Sequence, residues 1–573
     1  MAPHHLHAGG ELMTGMDAAA TSPARAPSPS PTTGTTQGTV RRLIVYTLLF
    51  ALVTIAAVGI AGLLARLLEL GDRLAVGGVA DLALSLAFAL IGGPLAALLW
   101  WVVWRRLREP AEREALAWGL YLATMYTVAL IVATSALLGT AMAGLDREWR
   151  PSGFATGLVW AAVWIWHRWM WRHPVKRPER LATVPAVAGS VYGLIIAVAG
   201  AVNALGSLFD TAIRGASAQA LAGSPWWQGV VDGLVWAVVG AVIWWWHWYR
   251  DGAKRLTTGL AAVALIVVGV MGSGILMLGG VGTALDVGLR LAFDPADPAA
   301  QVLRPLGVAL AAALVGAVVW VHHRGIAVER SDGTRRASAL VMSAIGLAAA
   351  ASGIGVVLNA VLAALVSPLA ASGTRALLLG GISALAVGGP TWWLSWRPTR
   401  RVKPEEIAQT SRRVYLVAVF GVSAVVALIA LLVVAYRLFE FGLDAGSGAS
   451  LVDQVRAPLG VLVATALVFA YHFAVWRRDR AVIAAEGLGT ERRIGRVILV
   501  AAGDAAPLER EIERVTGASV TVWQRAADEP APAGVGSVTD AAAVVAALDG
   551  VTAKRVLVVT GPGDPAQVIA LAD

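Results

Sequence analysis

The sequence predicts an all-α polytopic membrane protein of about twelve transmembrane helices, paired as six hairpin repeats of one orientation, with a small C-terminal α/β domain. Three observations predict it. Of the 573 residues, 57% are hydrophobic and 14% charged, and the mean hydropathy is +0.69; soluble globular, disordered and fibrous chains do not have this balance. The apolar residues form continuous runs of bilayer length, whereas outer-membrane strands alternate polar and apolar. The runs also come in pairs that end alike. With no cysteine, disulfides, thiolate metal sites and cysteine nucleophiles are excluded.

Residues 1–40 are rich in Ser, Thr, Pro, Gly and Ala, with Ser28-Pro29-Ser30-Pro31 typical. Too little apolar surface is present for them to fold alone, so a disordered tail is expected. No short apolar core stands beside a cleavage site, and the run from Leu43 is long enough to stay as a span. Apolar segments then fall near 43–65, 82–104, 115–141, 154–171, 183–206, 229–249, 257–281, 305–323, 338–366, 376–396, 414–436 and 457–476. Helix is the expected state of each, because backbone polar groups inside lipid must be satisfied within the segment.

Each second segment ends in an aromatic cluster followed by arginine. The endings are Trp100-Trp101-Val102-Val103-Trp104-Arg105, Trp166-His167-Arg168-Trp169-Met170-Trp171-Arg172, Trp244-Trp245-Trp246-His247-Trp248-Tyr249-Arg250, Trp320-Val321-His322-His323-Arg324, Trp392-Trp393-Leu394-Ser395-Trp396-Arg397 and Tyr471-His472-Phe473-Ala474-Val475-Trp476-Arg477. The closing arginines recur at intervals of 67, 78, 74, 73 and 80 residues. Six copies of one two-helix unit account for this, near 41–108, 112–180, 182–255, 256–330, 334–404 and 411–480, within a membrane region of 41–480. Two crossings per copy keep all copies in one orientation, unlike inverted transporter repeats.

Charge gives the orientation. The loops after even-numbered segments, with Arg41 and Arg42, carry 27 Lys+Arg against 11 acids, and those after odd-numbered segments 10 against 13. The positive-inside rule then places the even loops and both termini in the cytoplasm. The net charge of +9 therefore reads as topology. Nucleic-acid binding is disfavoured because the basic residues are scattered over six loops. Anionic lipid headgroups are the expected partner of such a belt, at about 1 kcal/mol per charge.

No ionisable residue falls mid-span, and Asp232 lies near the outer start of the sixth segment. Charge-coupled transport usually needs such residues, so its absence is expected, and no cofactor or metal is expected either. His167, His247, His322, His323 and His472 recur at inner ends. A ring of pH-sensitive or metal-binding imidazoles is one reading. The favoured one is interfacial anchoring beside tryptophan, with Trp104, Trp171, His167, His247, Trp248, Trp396, His472 and Trp476 as the anchors. Asn203 and Asn359 take similar places in the third and fifth hairpins; helix–helix hydrogen bonds are expected of them, and a polar path is the alternative. Gly269, Gly272, Gly274, Gly279, Gly280 and Gly282, with the Ala/Ser/Gly run Ala348–Gly355, signal close helix packing.

A linker at 481–490 leads to a domain over 491–573 of different composition. Strands are expected at Val497–Ala501, Ser519–Trp523 and Val556–Thr560. Helices are expected at Ala506–Val515 and Asp540–Leu548, the latter capped by Thr539 or Asp540, with a loop over 528–536. That order suggests a small parallel α/β unit, the expected seat of any protein partner. Gly561-Pro562-Gly563-Asp564 follows the third strand, where open α/β sheets bind ligands. It lacks the P-loop lysine, so Gly561, Gly563 and Asp564 read as a turn capping a final helix in preference to a nucleotide site. Ser537 and Asp540 cannot join a triad within this domain, because no histidine follows His472.

The recurrent unit, with its basic start and tyrosine (Arg41-Arg42…Tyr46, Arg412-Arg413-Val414-Tyr415), its Leu/Ala/Val helix and its Trp/His end closed by Arg, resembles the bacterial membrane repeat catalogued as domain-of-unknown-function family 5671. The resemblance covers about residues 40–480. In the fourth and fifth hairpins no tyrosine lies near the start of the first helix, and the fourth keeps a single tryptophan at its end. The resemblance implies a multi-pass membrane fold, and no catalytic residue comes with it. A bacterial inner-membrane protein with both termini in the cytoplasm is the expectation, structural, scaffolding or sensory and without catalysis. The alternative is a transporter or channel for a neutral or lipid-like solute.

Overall fold

Runs of Leu, Ala and Val with few breakers propagate helix once nucleated, and the structure, a computed structural model, shows the result. It describes residues 32–70, 78–215, 225–294, 296–366, 371–400, 407, 410–443, 450–485, 494–501, 505–524, 541–549, 551, 553–561 and 564–571. Two compact units are present, 1–185 and 186–573.

The first unit holds α1 (Thr32–Leu68), α2 (Val79–Arg106), α3 (Leu116–Leu145) and α4 (Pro151–Trp171). Its core gathers Leu49 of α1, Val103 of α2, Trp118, Leu122 and Met125 of α3, and Met170 of α4. Helix begins at Thr32, so residues 32–40, expected in the tail, are helical. Extending a nucleated helix costs little per residue even through Thr and Gln.

The second unit begins with α5 (Val184–Arg214), α6 (Gln228–Arg250), α7 (Gly259–Phe293) and α8 (Leu306–Arg330). It continues with α9 (Asp332–Val366), α10 (Ala371–Arg400), α11 (Thr410–Leu443) and α12 (Leu451–Ala485). Helix α9 packs on α10 and α12, α7 on α8 and α10, and α11 on α12. Residues 481–485, expected in the linker, instead finish α12. Among the described residues, 11 helices are long and apolar enough to cross a membrane. Helix α4, at 21 residues, has the length but carries five tryptophans, a histidine and an arginine, which dilute its apolar character. Short π-helical stretches interrupt α2 at Phe88–Gly92, α6 at Trp246–Arg250 and α7 at Leu265–Gly272.

The C-terminal part of the second unit is a four-stranded sheet of order β2-β1-β3-β4, formed by β1 (Arg496–Ala501), β2 (Ser519–Gln524), β3 (Arg555–Gly561) and β4 (Asp564–Leu571). Strand β1 pairs parallel with β2 and β3. Leu508 and Ile512 of α13 (Ala506–Thr516) and Val544 and Leu548 of α14 (Ala541–Leu548) cover Val497, Leu499, Val556 and Val558. Gly517 closes α13 in the left-handed region, φ 67°, where a Cβ is penalised. The chain end corrects one expectation. In place of a turn and a final helix, Asp564–Leu571 forms β4, antiparallel to β3; alternation in Ala566–Val568–Ala570 suits a strand edge. Gly561 ends β3 and Asp564 starts β4. Gly563, Thr539, Asp540, Ser537 and the loop 528–536 lie outside the described residues.

Candidate functional site

The histidine-bearing helix ends are the most strongly patterned feature of the membrane region. Three of them are equivalent: Trp164-Ile165-Trp166-His167 on α4, Trp320-Val321-His322-His323 on α8 and Phe469-Ala470-Tyr471-His472 on α12. On a helix, residue i lies over residue i−4. The imidazole Nδ1 of each histidine accordingly reaches the carbonyl of a valine four residues back: Val163 at 2.7 Å, Val319 at 2.8 Å and Val468 at 2.9 Å. A carbonyl only accepts, so Nδ1 carries the proton and Nε2 points away from its own helix. All three rings are buried, at 1%, 2% and 0% exposure.

The second helix of each hairpin pair brings tryptophan onto these rings. Trp100 of α2 lies 5.8 Å from His167 at 62°, Trp248 of α6 lies 5.5 Å from His323 at 55°, and Trp396 of α10 lies 5.7 Å from His472 at 53°. The third helix adds tyrosine twice. Tyr121 of α3 places its hydroxyl 3.0 Å from His167 Nε2, and the Tyr415 ring of α11 stands 6.1 Å from His472 at 64°. In the middle junction α7 has no tyrosine. Gly269 sits there instead, and a Cβ on it would come within 2.7 Å of the His323 ring. Its lack of a side chain admits the imidazole at a π-helical stretch.

Further bonds lock the first and last junctions. Tyr46 of α1 lies against Trp118 and Tyr121. Trp118 Nε1 donates to the Lys176 carbonyl at 3.2 Å, and Lys176 Nζ donates to the Trp104 carbonyl at 3.0 Å. Burial, and next the charge of Arg108, pulls the Lys176 ammonium below the usual lysine range. Arg42 Nε meets Glu112 Oε1 at 3.0 Å. In the last junction Trp396 Nε1 donates to the Tyr471 hydroxyl at 2.9 Å, and Tyr415 shares a 3.0 Å hydrogen bond with Ser343 of α9. Arg412 Nε donates to Asp479 Oδ2 at 2.7 Å.

His247 belongs to a different position. Its Nδ1 donates to the Ile243 carbonyl at 2.8 Å, its Nε2 is 3.9 Å from Asp251 Oδ2, and its ring fills the space over Gly189 of α5. The anchoring expectation is therefore corrected for five residues. His167, His247, Trp248, Trp396 and His472 are buried, because their rings pack against neighbouring helices; Trp248 Nε1 and His472 Nε2 are buried without a hydrogen-bond partner among the described residues. Trp104, Trp171 and Trp476 are half-buried. Within these helix-end clusters Trp101, Trp166, Trp169, Trp245, Trp246, Tyr249 and Trp393 face outward.

Asn359 of α9 accepts from Arg456 Nη1 of α12 at 2.8 Å, while Asn203 is exposed on α5. The structure does not bring the two together. Of the α7 glycines, Gly274 faces Met342, Gly280 faces the backbone of Ala309 and Ala313, and Gly279 and Gly282 face open space. Among the described residues no three His, Asp or Glu side chains are placed to hold a metal ion.

Sequence reasoning found the histidines but grouped them by hairpin. The equivalent ones are 156 and 149 residues apart, twice the hairpin period, and share an aromatic residue three positions earlier. Comparison with known proteins gives the same longer period. The model described as Domain of unknown function (DUF5671) matches residues 42–165, 183–299 and 336–467. No curated protein and no solved structure matches the chain.

Proposed function

Since the chain belongs to the DUF5671 family, a multi-pass repeat family, we propose that it is a non-enzymatic scaffold or sensor of the bacterial inner membrane. In this reading it crosses twelve times. Six hairpins of one orientation pair into three four-helix repeats, both termini are cytoplasmic, and the α/β domain faces the cytoplasm as the seat of any protein partner. One observation carries the reading: the histidine rings are packed between helices against Trp100, Trp248 and Trp396, with no open site for chemistry or passage around them among the described residues. The His167, His323 and His472 Nδ1 atoms bond their own helices, and Asn359 is held by Arg456.

Proteoliposomes test it. Vesicles containing the full chain are expected to swell in glycerol or urea no faster than protein-free vesicles. Faster swelling that disappears in Asn203→Ala or Asn359→Ala would favour a channel for neutral solutes and overturn the scaffold reading.

A further inference from the structure

The second unit contains a cavity of about 700 Å³ whose walls come from α7, α8, α9, α10 and α11. Its chemistry is divided. At one end stand four guanidinium groups, Arg324 of α8, Arg335 and Arg336 of α9, and Arg412 of α11. No carboxylate is among the described lining residues. Away from them the wall is mostly apolar, with Met277 and Leu278 midway along α7 and Met342 nearly three turns into α9. From Arg336 to Met342 the helix rises about 9 Å, so charge and apolar depth are separated along the helix axis.

The arginines occupy one end because the helices alternate in direction. Arg324 lies near the C-terminus of α8, while Arg335, Arg336 and Arg412 lie in the first turns of α9 and α11. The rule that places basic loops inside puts this end at the cytoplasmic leaflet, where anionic lipids concentrate. The cavity is partly open to the exterior. Val328 and Leu394 line it and are exposed, at 42% and 66%, as expected of side chains that meet acyl chains.

The guanidinium groups are already oriented. Arg324 lies over the Trp320 ring at 5.0 Å, Arg335 meets Asp332 at 2.8 Å, and Arg412 is held by Asp479. Guanidinium forks match phosphate oxygens geometrically. The volume suits a ligand of moderate size. The geometry points to a binding site for one anionic phospholipid, its phosphate among Arg324, Arg335 and Arg336 and one acyl chain along Met277, Met342 and Leu394. A zwitterionic lipid would bring a cation into the same cluster. A free phosphate would leave the apolar part unused. The inference rests on the membrane reading above and gives its sensory branch a ligand class.

Native mass spectrometry of the full chain, released from mild detergent with added lipid, tests it. Dioleoyl phosphatidylglycerol is expected to leave one adduct that survives activation sufficient to strip dioleoyl phosphatidylcholine. Arg324→Gln with Arg336→Gln should lower retention roughly thirtyfold, and Ala339→Trp, which obstructs the wall of the cavity, should lower it comparably. Arg304→Gln, at the opposite end of α8, should leave it unchanged. Quenching of Trp320 by phosphatidylglycerol with brominated chains, read as the quenching lost in Trp320→Phe, gives a measure independent of the arginine variants. Equal retention of phosphatidylcholine overturns the proposal. So does binding of inorganic phosphate that Ala339→Trp does not affect, which would mark a phosphate site. A chain that partitions into membranes yet keeps no adduct sinks this inference alone; a chain that stays out of membranes sinks the membrane reading first.

Discussion

The Tyr121 hydroxyl and His167 Nε2 lie 3.0 Å apart and join α3 to α4. Because His167 Nδ1 is committed to the Val163 carbonyl, the hydroxyl is the donor. Tyr121→Phe keeps the ring stacking and leaves a buried nitrogen unsatisfied. A loss of about 1–3 kcal/mol is expected, seen as a lower midpoint of thermal unfolding in detergent. An unchanged midpoint would mean the contact is not formed.

Arg412 and Asp479 form the best-shielded arginine–carboxylate pair of the membrane region among the described residues, with side chains 9% and 11% exposed. Asp479→Asn strands a buried guanidinium and should cost about 3–5 kcal/mol. Joining Arg412→Met to Asp479→Leu removes both charges and should restore most of that loss. The comparison is made by equilibrium unfolding of the three variants beside the parent chain. If the double variant is as unstable as Asp479→Asn, the stranded charge is not the cause.

Helices α5 and α6 touch backbone to backbone. A Cβ on Gly233 would collide with the backbone of Ala204, and one on Gly200 with that of Ala237. Such a collision has no flexible side chain to absorb it. Gly233→Ala should therefore destabilise by about 1–3 kcal/mol, whereas Gly279→Ala on α7, with open space around it, should be tolerated. Equal behaviour of the two in thermal unfolding would contradict this packing.

Much of the fold was legible because bilayer length and continuous hydrophobicity are strong signals. The segment expected at 183–206 became Val184–Arg214, and that at 229–249 became Gln228–Arg250. Helix ends were less legible. Helix α7 runs on from 281 to Phe293 past Asp286 and Arg290, since a helix continues through polar residues once it has left the apolar layer. The histidines were visible but their burial was not. A Trp-His-Arg string reads the same at a lipid interface and between packed helices, and only the facing residues, Trp100, Trp248 and Trp396, distinguish them. The final strand was hidden by the glycines before it. Gly561 marks a hairpin as readily as a helix cap, and pairing with β3 decided between them.

The central claim is that successive hairpins return to the same compartment. A chain without cysteine allows it to be measured with single introduced cysteines and a membrane-impermeant maleimide on intact cells. Arg108→Cys, Arg177→Cys, Arg255→Cys and Ser331→Cys are expected to stay unlabelled until the cells are opened. Asp146→Cys, Trp226→Cys and Asp297→Cys should be labelled at once. Labelling of Arg108→Cys but not Arg177→Cys in intact cells, or the reverse, would show neighbouring hairpins facing opposite ways and contradict the account.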